Sequence, residues 1–256
     1  MLLYRLAPEG LYAATDPEGR VRALLSDPFE DPPGGWRYGR EADPAGSGLL
    51  APVHPGKIVG IGRNYREHAA ELGNPMPAEP LLFLKAPSSV IGPGAPVVLP
   101  PESERVEFEG EIAAVVRSRL TRASEAEAEA GLLGVTCALD VTARDLQRRD
   151  ATFARGKSFD TFCPLGPAIL VAPDLEELEV VTRVGGVERQ RGRSAEMAWG
   201  IAELAAYVSR FMTLEPGDVI LTGTPAGVGP LAAGDTVEVE VAGVGVLRTP
   251  VERRVA

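Results

Sequence analysis

The sequence predicts an α+β fold dominated by β-strands. The apolar runs beyond residue 57 are short and are separated by turns that contain Gly and Pro, a pattern typical of strands. Helical patterns are few, and they do not alternate regularly with the strands. This order argues against a doubly wound parallel sheet, in which strands and helices follow one another in turn.

The individual elements follow from these patterns. The apolar runs predict strands at Ile58–Ile61, Leu81–Leu84, Ile112–Val116, Val135–Leu139, Ala168–Val171, Val219–Leu221, Val237–Val241 and Val244–Leu247. Ser124 and Glu127 form a capping-box pair that predicts the start of a helix. A longer amphipathic helix is predicted from Ser194 to about Leu214, and Pro216-Gly217 ends it.

The composition of the chain changes near residue 50. Short apolar runs broken by turns occupy the first part of the chain, and a Pro- and Gly-rich passage follows from Asp27 to Gly48. We therefore expect a small β-rich domain over residues 1–50 and a main domain over residues 51–256.

Composition and charge exclude several classes of function. The net charge of −10 argues against a nucleic-acid partner, because binding to phosphates requires clustered Lys and Arg. No apolar stretch approaches the roughly 20 residues that a membrane span needs, and the first residues do not resemble a signal peptide. We therefore expect a cytoplasmic protein that does not associate with membranes. Cys137 and Cys163 lie in apolar sequence, which predicts buried free thiols.

Three acidic residues alternate along one predicted strand. The period of a strand places Glu107, Glu109 and Glu111 on one face, and the apolar residues that follow indicate a strand packed in a core. Like charges so close together are destabilising unless they are protonated, solvated or neutralised by a cation. A hard divalent metal is the first hypothesis, and an acidic edge strand facing water is the alternative. The chain has only two His and two Cys, too few for a usual zinc site, so Mg²⁺, Mn²⁺ or Ca²⁺ remain.

A histidine and a carboxylate share one face of a predicted short helix. Asn64 is a suitable helix cap, so Tyr65–Leu72 should be helical, with His68 and Glu71 three residues apart. A carboxylate fixes the tautomer of such a histidine and raises its basicity, so the pair can hold a water molecule or accept a proton. The alternative is an ordinary surface pair.

Further polar residues follow the predicted strand Val135–Leu139. Asp140 ends that strand and is either a metal ligand or a turn residue. Arg144 and Gln147 lie three apart on the next predicted helix, and Lys157 would suit a substrate carboxylate or a developing enolate. The segment Thr222–Gly229, which includes Gly223 and Thr224, is either an anion-binding nest or a plain turn.

Together these segments resemble the fumarylacetoacetate hydrolase family. The resemblance covers about residues 57–248 and is carried by Gly62–Glu71, Leu82–Ser89, Phe108–Glu111, Asp140–Gln147, Gly156–Gly166 and Pro216–Gly229. It implies a mixed β-sandwich roll, a homodimer, and Mg²⁺ or Mn²⁺ held by Glu109, Glu111 and Asp140. Glu107 would be a nearby acid and not a ligand.

The resemblance also implies roles for the other residues. His68 and Glu71 would form a catalytic dyad on a lid. The residues around the substrate would be Lys157, Arg144, Gln147, Gly223 and Thr224.

The substrate implied by the resemblance is a small 2-oxo or 2-hydroxydienoic acid that reacts through an enolate. The branch that the segments resemble most isomerises 2-hydroxyhepta-2,4-diene-1,7-dioate and decarboxylates its tricarboxylate precursor in aromatic catabolism. An acylpyruvate hydrolase and an oxaloacetate decarboxylase are the alternatives. A third alternative, of another class, is a non-catalytic scaffold protein with a structural cation.

Overall fold

The structure of the protein is a computed structural model that describes residues 1–71, 73 and 75–253. Its strands, numbered in chain order, are β1 Leu2–Leu6, β2 Leu11–Thr15, β3 Val21–Leu24, β4 Tyr38–Glu41, β5 Ile58–Gly62, β6 Leu81–Lys85, β7 Val90–Ile91, β8 Val97–Leu99, β9 Val106–Phe108, β10 Gly110–Val116, β11 Leu132–Leu139, β12 Thr142–Ala143, β13 Cys163–Val171, β14 Glu179–Val184, β15 Val187–Arg193, β16 Val219–Leu221, β17 Gly229–Pro230, β18 Thr236–Val241 and β19 Gly245–Arg253. Its α-helices are α1 Pro44–Ser47, α2 Arg66–Glu71, α3 Glu125–Gly131, α4 Arg144–Arg149, α5 Ala154–Lys157 and α6 Ile201–Ser209. The predicted strand-dominated α+β class is confirmed.

Three sheets organise the strands. The large sheet has the order β4-β3-β2-β1-β13-β11-β10-β16-β5-β6, with β7 paired to β13. A five-stranded sheet has the order β15-β14-β18-β19-β8, and a small sheet has the order β12-β9-β17. Most pairs are antiparallel, but β16 and β5 are parallel, so the large sheet is mixed. No helix in the described residues is both long and apolar enough to cross a bilayer.

Strand β10 lies between two hydrophobic cores. Its side chains at Ile112, Ala114 and Val116 belong to the core shared with the five-stranded sheet and α6. The intervening Ala113 and Val115 belong to the core on the other face of the large sheet. A strand buried on both faces needs apolar residues at every position, which explains the continuous apolar run after Glu111.

The N-terminal strands extend the large sheet. Strand β1 pairs antiparallel with β13, and β2, β3 and β4 follow outward in order. The division of the chain into two domains near residue 50 stays a prediction. Both cysteines are buried and free, as expected, and burial raises the pKa of each thiol to about 12.

The predicted helix from Ser194 to about Leu214 is shorter than expected. Only α6 is α-helical, and the first residues of the predicted range form a 3₁₀ turn. Asn64 causes the break, because its backbone oxygen accepts a hydrogen bond from Ala198 N and its side chain accepts one from Trp199 N. These contacts hold the chain in a non-helical conformation up to Gly200, the N-cap of α6.

Candidate active site

The three alternating glutamates lie where the chain passes from the small sheet to the large sheet. Glu107 belongs to β9 of the small sheet and Glu111 to β10 of the large sheet, with Glu109 between the two strands. Their exposed fractions are only 2%, 5% and 2%. The alternative of an acidic edge strand that faces water is therefore wrong, and these buried charges require partners.

The pairing of β10 with β11 brings Asp140 to the same place. Gly110 pairs with Leu139, so the residue after β11 lies opposite Glu109, and Asp140 N donates to Glu109 O at 2.8 Å. One carboxylate oxygen from each of Glu109, Glu111 and Asp140 lies within 4.8 Å of the others. We call these three residues the acid cluster.

Two buried lysines neutralise part of the acid cluster. Lys157 Nζ donates to Glu109 Oε2 at 2.6 Å and to Asp140 Oδ2 at 2.5 Å, and Lys85 Nζ donates to Asp140 Oδ1 at 2.6 Å. Burial alone would lower the pKa of Lys157, but the carboxylates of Asp140 and Glu109 outweigh it and raise that pKa. The Lys157 ammonium therefore stays protonated beside the cluster.

The two glutamates of the acid cluster have opposite electrostatic environments. Burial would raise the pKa of Glu109, but Lys157 and Arg144 outweigh it and hold that pKa well below the ordinary range. The pKa of Glu111 is raised well above its ordinary value by burial and by the charges of Asp140 and Glu109. Its Oε2 accepts a hydrogen bond from Gly223 N at 2.7 Å, and among the described residues Glu111 forms no ion pair.

A hard divalent cation fits this donor set. The cluster offers only oxygen ligands, which suits Mg²⁺, Mn²⁺ or Ca²⁺. Burial and the charges of Asp140 and Glu109 raise the pKa of Glu111, so its charged form would be stabilised by a bound cation. The oxygens that Lys157 and Arg144 contact retain further lone pairs. Glu109, Glu111 and Asp140 are thus suited to hold a divalent metal.

Arg144 connects the acid cluster to Glu107. Its Nε donates to Glu107 Oε2 at 2.7 Å, one terminal nitrogen donates to Glu109 Oε1 at 2.5 Å, and the other donates to Gln147 Oε1 at 2.7 Å. Glu107 also accepts a bond from Arg105 Nε at 2.6 Å. Both oxygens of Glu107 thus bind arginine, and that it is a nearby acid and not a ligand stays a prediction.

The predicted dyad is present on α2. His68 Nδ1 lies 3.3 Å from Glu71 Oε2, and His68 is buried. Gly227 N lies 3.1 Å from each oxygen of Glu71, so a loop distant in sequence also holds the carboxylate. The predicted end of the helix at Leu72 lies outside the described residues.

Asn64 has a different role from the predicted helix cap. Its Nδ2 donates to Thr222 O at 2.8 Å and to Trp199 O at 3.1 Å, and its Oδ1 accepts from Trp199 N at 3.0 Å. Both polar atoms of the Asn64 side chain therefore form tertiary hydrogen bonds. The side chain joins the segment just before α2 to the Thr222–Gly229 loop.

The Thr222–Gly229 loop binds anions, but the anions are side chains of the protein itself. Gly223 N donates to Glu111 and Gly227 N donates to Glu71. Thr224 Oγ1 donates to Gly110 O at 2.8 Å, which fixes the loop against the backbone between the two glutamates of the cluster. The loop thus positions two carboxylates of the site.

Gln190 is a positioning residue that the sequence did not indicate. It is 1% exposed, its Nε2 donates to Thr224 Oγ1 and to Pro225 O at 2.7 Å each, and its Oε1 accepts from Gly110 N at 3.0 Å. It lies on β15, whose other residues are mostly exposed and charged. In the sequence, the one feature that sets Gln190 apart is that it is a neutral amide among the charged residues of β15.

These residues surround one cavity of about 350 Å³. It is lined by Ile61, Gly62, Arg63, His68, Leu81, Phe83, Glu109, Glu111, Arg144, Gln147, Arg148, Phe153, Lys157 and Thr224. Of the site residues expected from the sequence, three are absent from this lining but contact residues that belong to it. Asp140 binds Lys157, Gly223 binds Glu111, and Glu71 binds His68. The fold thus brings all ten expected residues together, while their catalytic and binding roles remain predictions.

Comparisons with known proteins identify the family. The family model described as fumarylacetoacetate (FAA) hydrolase C-terminal matches residues 57–252. Human "oxaloacetate tautomerase FAHD2A, mitochondrial" is 43% identical over 212 residues, which cover 78% of this chain and 68% of that protein. The crystal structure of 5-carboxymethyl-2-hydroxymuconate delta-isomerase from Mycobacterium smegmatis is 39% identical, with a TM-score of 0.88 over 99% of this chain and 100% of that chain. A 2-hydroxyhepta-2,4-diene-1,7-dioate isomerase structure from Mycobacterium marinum is 38% identical, with a TM-score of 0.88 over 100% of both chains. The chain belongs to the fumarylacetoacetate hydrolase family of enzymes.

Proposed function

We propose that the protein is a divalent-metal-dependent isomerase of 2-hydroxyhepta-2,4-diene-1,7-dioate or of a closely related 2-oxo dicarboxylic acid, and that the reaction passes through an enolate. The observation that carries the proposal is the acid cluster of oxygen ligands beside the protonated Lys157, at the wall of a cavity that also contains His68. The names of the similar isomerases support the same substrate class.

The acid cluster would hold Mg²⁺ or Mn²⁺. When bound, the metal would polarise the 2-oxo group and the carboxylate next to it, so that negative charge can build on oxygen. The Lys157 ammonium lies at the same wall and is fixed by two carboxylates, so it stabilises that charge without reorganising.

The His68–Glu71 dyad would move the proton. Isomerisation removes a proton from one atom of the substrate and returns it to another, and a histidine oriented by a carboxylate is suited to both steps. His68 lines the cavity, whereas Glu71 does not, and Gly227 N donates a hydrogen bond to the Glu71 carboxylate. Glu71 therefore orients the ring and does not need to touch the substrate.

A second candidate is keto–enol tautomerisation of oxaloacetate. It uses the same enolate chemistry on a shorter dicarboxylate, and the human relative that is 43% identical bears the name of that activity. Decarboxylation of a tricarboxylate precursor or of oxaloacetate, and hydrolysis of an acylpyruvate, would begin from the same charge build-up on oxygen.

One experiment separates these possibilities. The enzyme is assayed with Mg²⁺ and with a chelator against 2-hydroxyhepta-2,4-diene-1,7-dioate, oxaloacetate and an acylpyruvate. Metal-dependent loss of the dienol absorbance without C–C cleavage is the expected result. Enol–keto conversion of oxaloacetate alone would favour the second candidate, and cleavage of a C–C bond alone would overturn the isomerase proposal.

A further inference from the structure

Three arginines line the cavity, and they differ in what they bind. Arg144 is bonded to two glutamates and to Gln147, so each nitrogen of its guanidinium already donates a hydrogen bond within the protein. Arg63 and Arg148 line the same cavity, but within the part of the chain that the structure describes neither forms an ion pair or a side-chain hydrogen bond. They are therefore the cationic groups left to meet an anionic ligand.

Arg148 lies one helical turn beyond Arg144. Both belong to α4, and a spacing of four residues places them on one face of the helix, about 6 Å apart along its axis. Arg144 contacts the acid cluster, whereas Arg148 is exposed and lines the same cavity. The helix thus carries a second positive charge into the cavity, one turn away from the residue that contacts the cluster.

Arg63 reaches the same cavity from a constrained turn after β5. Its φ is 59°, a left-handed conformation that is unfavourable for a residue with a Cβ and that persists only where the surroundings enforce it. The neighbouring Asn64 enforces it here through its bonds to Trp199 and Thr222. The turn therefore fixes where the Arg63 side chain starts.

We propose that Arg63 and Arg148 form a second anion site, which binds the distal carboxylate of a dicarboxylate substrate. This inference rests on the proposed function, in which the 2-oxo acid end of the substrate lies at the acid cluster. The chain carries a net charge of −10, so a dianion gains no general attraction and needs local cations. Phe83 and Phe153, whose ring centroids are 5.8 Å apart, form an apolar wall for the carbon chain in the same cavity.

The test uses two ligands that differ only at the far end. 2-Oxoheptanedioate and 2-oxoheptanoate have the same 2-oxo acid head and the same chain length, but the first ends in a carboxylate and the second in a methyl group. Isothermal titration calorimetry in Mg²⁺ gives the affinity of the full chain for each. We expect the parent to bind the dianion about tenfold more tightly, as suits a charge-assisted bond to arginine.

The variants are Arg63→Asn, Arg148→Gln and the double variant. Asn tolerates the left-handed conformation at position 63, so that substitution removes the charge and keeps the turn. Each single variant should lose part of the preference for the dianion, and the double variant should lose all of it, with 2-oxoheptanoate affinity unchanged. Arg149→Gln is the matched control, because Arg149 is exposed on the same helix and does not line the cavity.

Three results would overturn the second anion site. They are equal affinity of the parent for both ligands, a preference that survives in the double variant, and a loss confined to one of the two single variants. Oxalate serves as a probe of the acid cluster alone. Equal oxalate binding by the parent and all variants shows that the cluster is intact, whereas failure of the parent to bind oxalate in Mg²⁺ would overturn the proposed function, and the distal site with it.

Discussion

The side chain of Gln190 donates a hydrogen bond to Thr224 Oγ1 at 2.7 Å, although the two residues lie on different parts of the chain. The same amide also binds the backbone of Gly110, between two residues of the acid cluster. One buried side chain thus fixes the loop on one side of the cavity and the acidic strand on the other.

Replacing Gln190 with Ala should therefore damage both stability and catalysis. The substitution leaves Gly110 N and Pro225 O without their bonds, which we expect to cost about 1–3 kcal/mol of unfolding free energy. Urea unfolding in chelator measures that loss, and kcat in Mg²⁺ should fall as well. Arg189→Ala, at an exposed neighbour on the same strand, should change neither. An unaltered kcat in the Gln190 variant would contradict its positioning role.

Replacement by Gln should affect the stability of the metal-free protein differently at Glu111 and at Glu109. Glu111 has a raised pKa and no ion pair in the described chain, so Glu111→Gln should fold as well as the parent in chelator but lose its stabilisation by Mg²⁺. Glu109→Gln breaks buried pairs with Lys157 and Arg144, which should cost about 3–5 kcal/mol even without metal. Thermal melts with and without Mg²⁺ test both. Full Mg²⁺ stabilisation of Glu111→Gln would argue against the metal site.

The pH dependence of Mg²⁺ stabilisation follows from Glu111. Its folded-state pKa is raised, so its contribution to the stability of the metal-free protein is complete below the ordinary value of 4.5 and is lost as pH rises through the folded-state value. Bound Mg²⁺ favours the charged form and removes this loss. The increase in Tm on adding Mg²⁺ should therefore grow as the pH rises above the ordinary value of 4.5, and Glu111→Gln should abolish that growth. An increase in Tm that is flat with pH in the parent would count against this assignment.

His68 should be required for turnover but not for metal binding. Loss of a general acid–base group lowers kcat by about 10²–10⁴-fold, so we expect His68→Ala to show a loss of this size. Its Tm should still rise with Mg²⁺, because His68 is not part of the acid cluster. His54→Ala is the control, since His54 is exposed and does not line the cavity. Normal turnover by His68→Ala would favour a different proton carrier, whereas absence of turnover in the parent as well would favour a non-catalytic protein.

Local patterns in the sequence were sufficient to predict two residues of the acid cluster and the dyad, whereas Asp140 was added to the cluster only by the family resemblance. Strand alternation predicted Glu109 and Glu111, and the three-residue helical spacing predicted the pair His68 and Glu71. Both patterns describe side chains that are neighbours along the chain, where geometry is set by the element itself.

The contacts that position these residues were not predictable in the same way. Lys85 meets Asp140 across 55 residues and Gln190 meets Gly110 across 80, so only the pairing of strands places them together. Asn64 was predicted to cap a helix and instead interrupts another one 135 residues away. Tertiary hydrogen bonds overrode the local preference in that segment, because a buried amide must satisfy all its polar groups.

The Thr222–Gly229 loop connects two parts of the site as well as positioning them. Through Gly223 it holds the Glu111 carboxylate of the acid cluster, and through Gly227 it holds the Glu71 carboxylate of the dyad. A ligand that shifts the Glu111 carboxylate would also shift the short backbone segment that is bonded to Glu71. We therefore expect metal binding at Glu111 and the position of the Glu71 carboxylate to be thermodynamically linked, and any such linkage is reciprocal: whatever fixes Glu71 strengthens metal binding by the same factor by which the metal fixes Glu71.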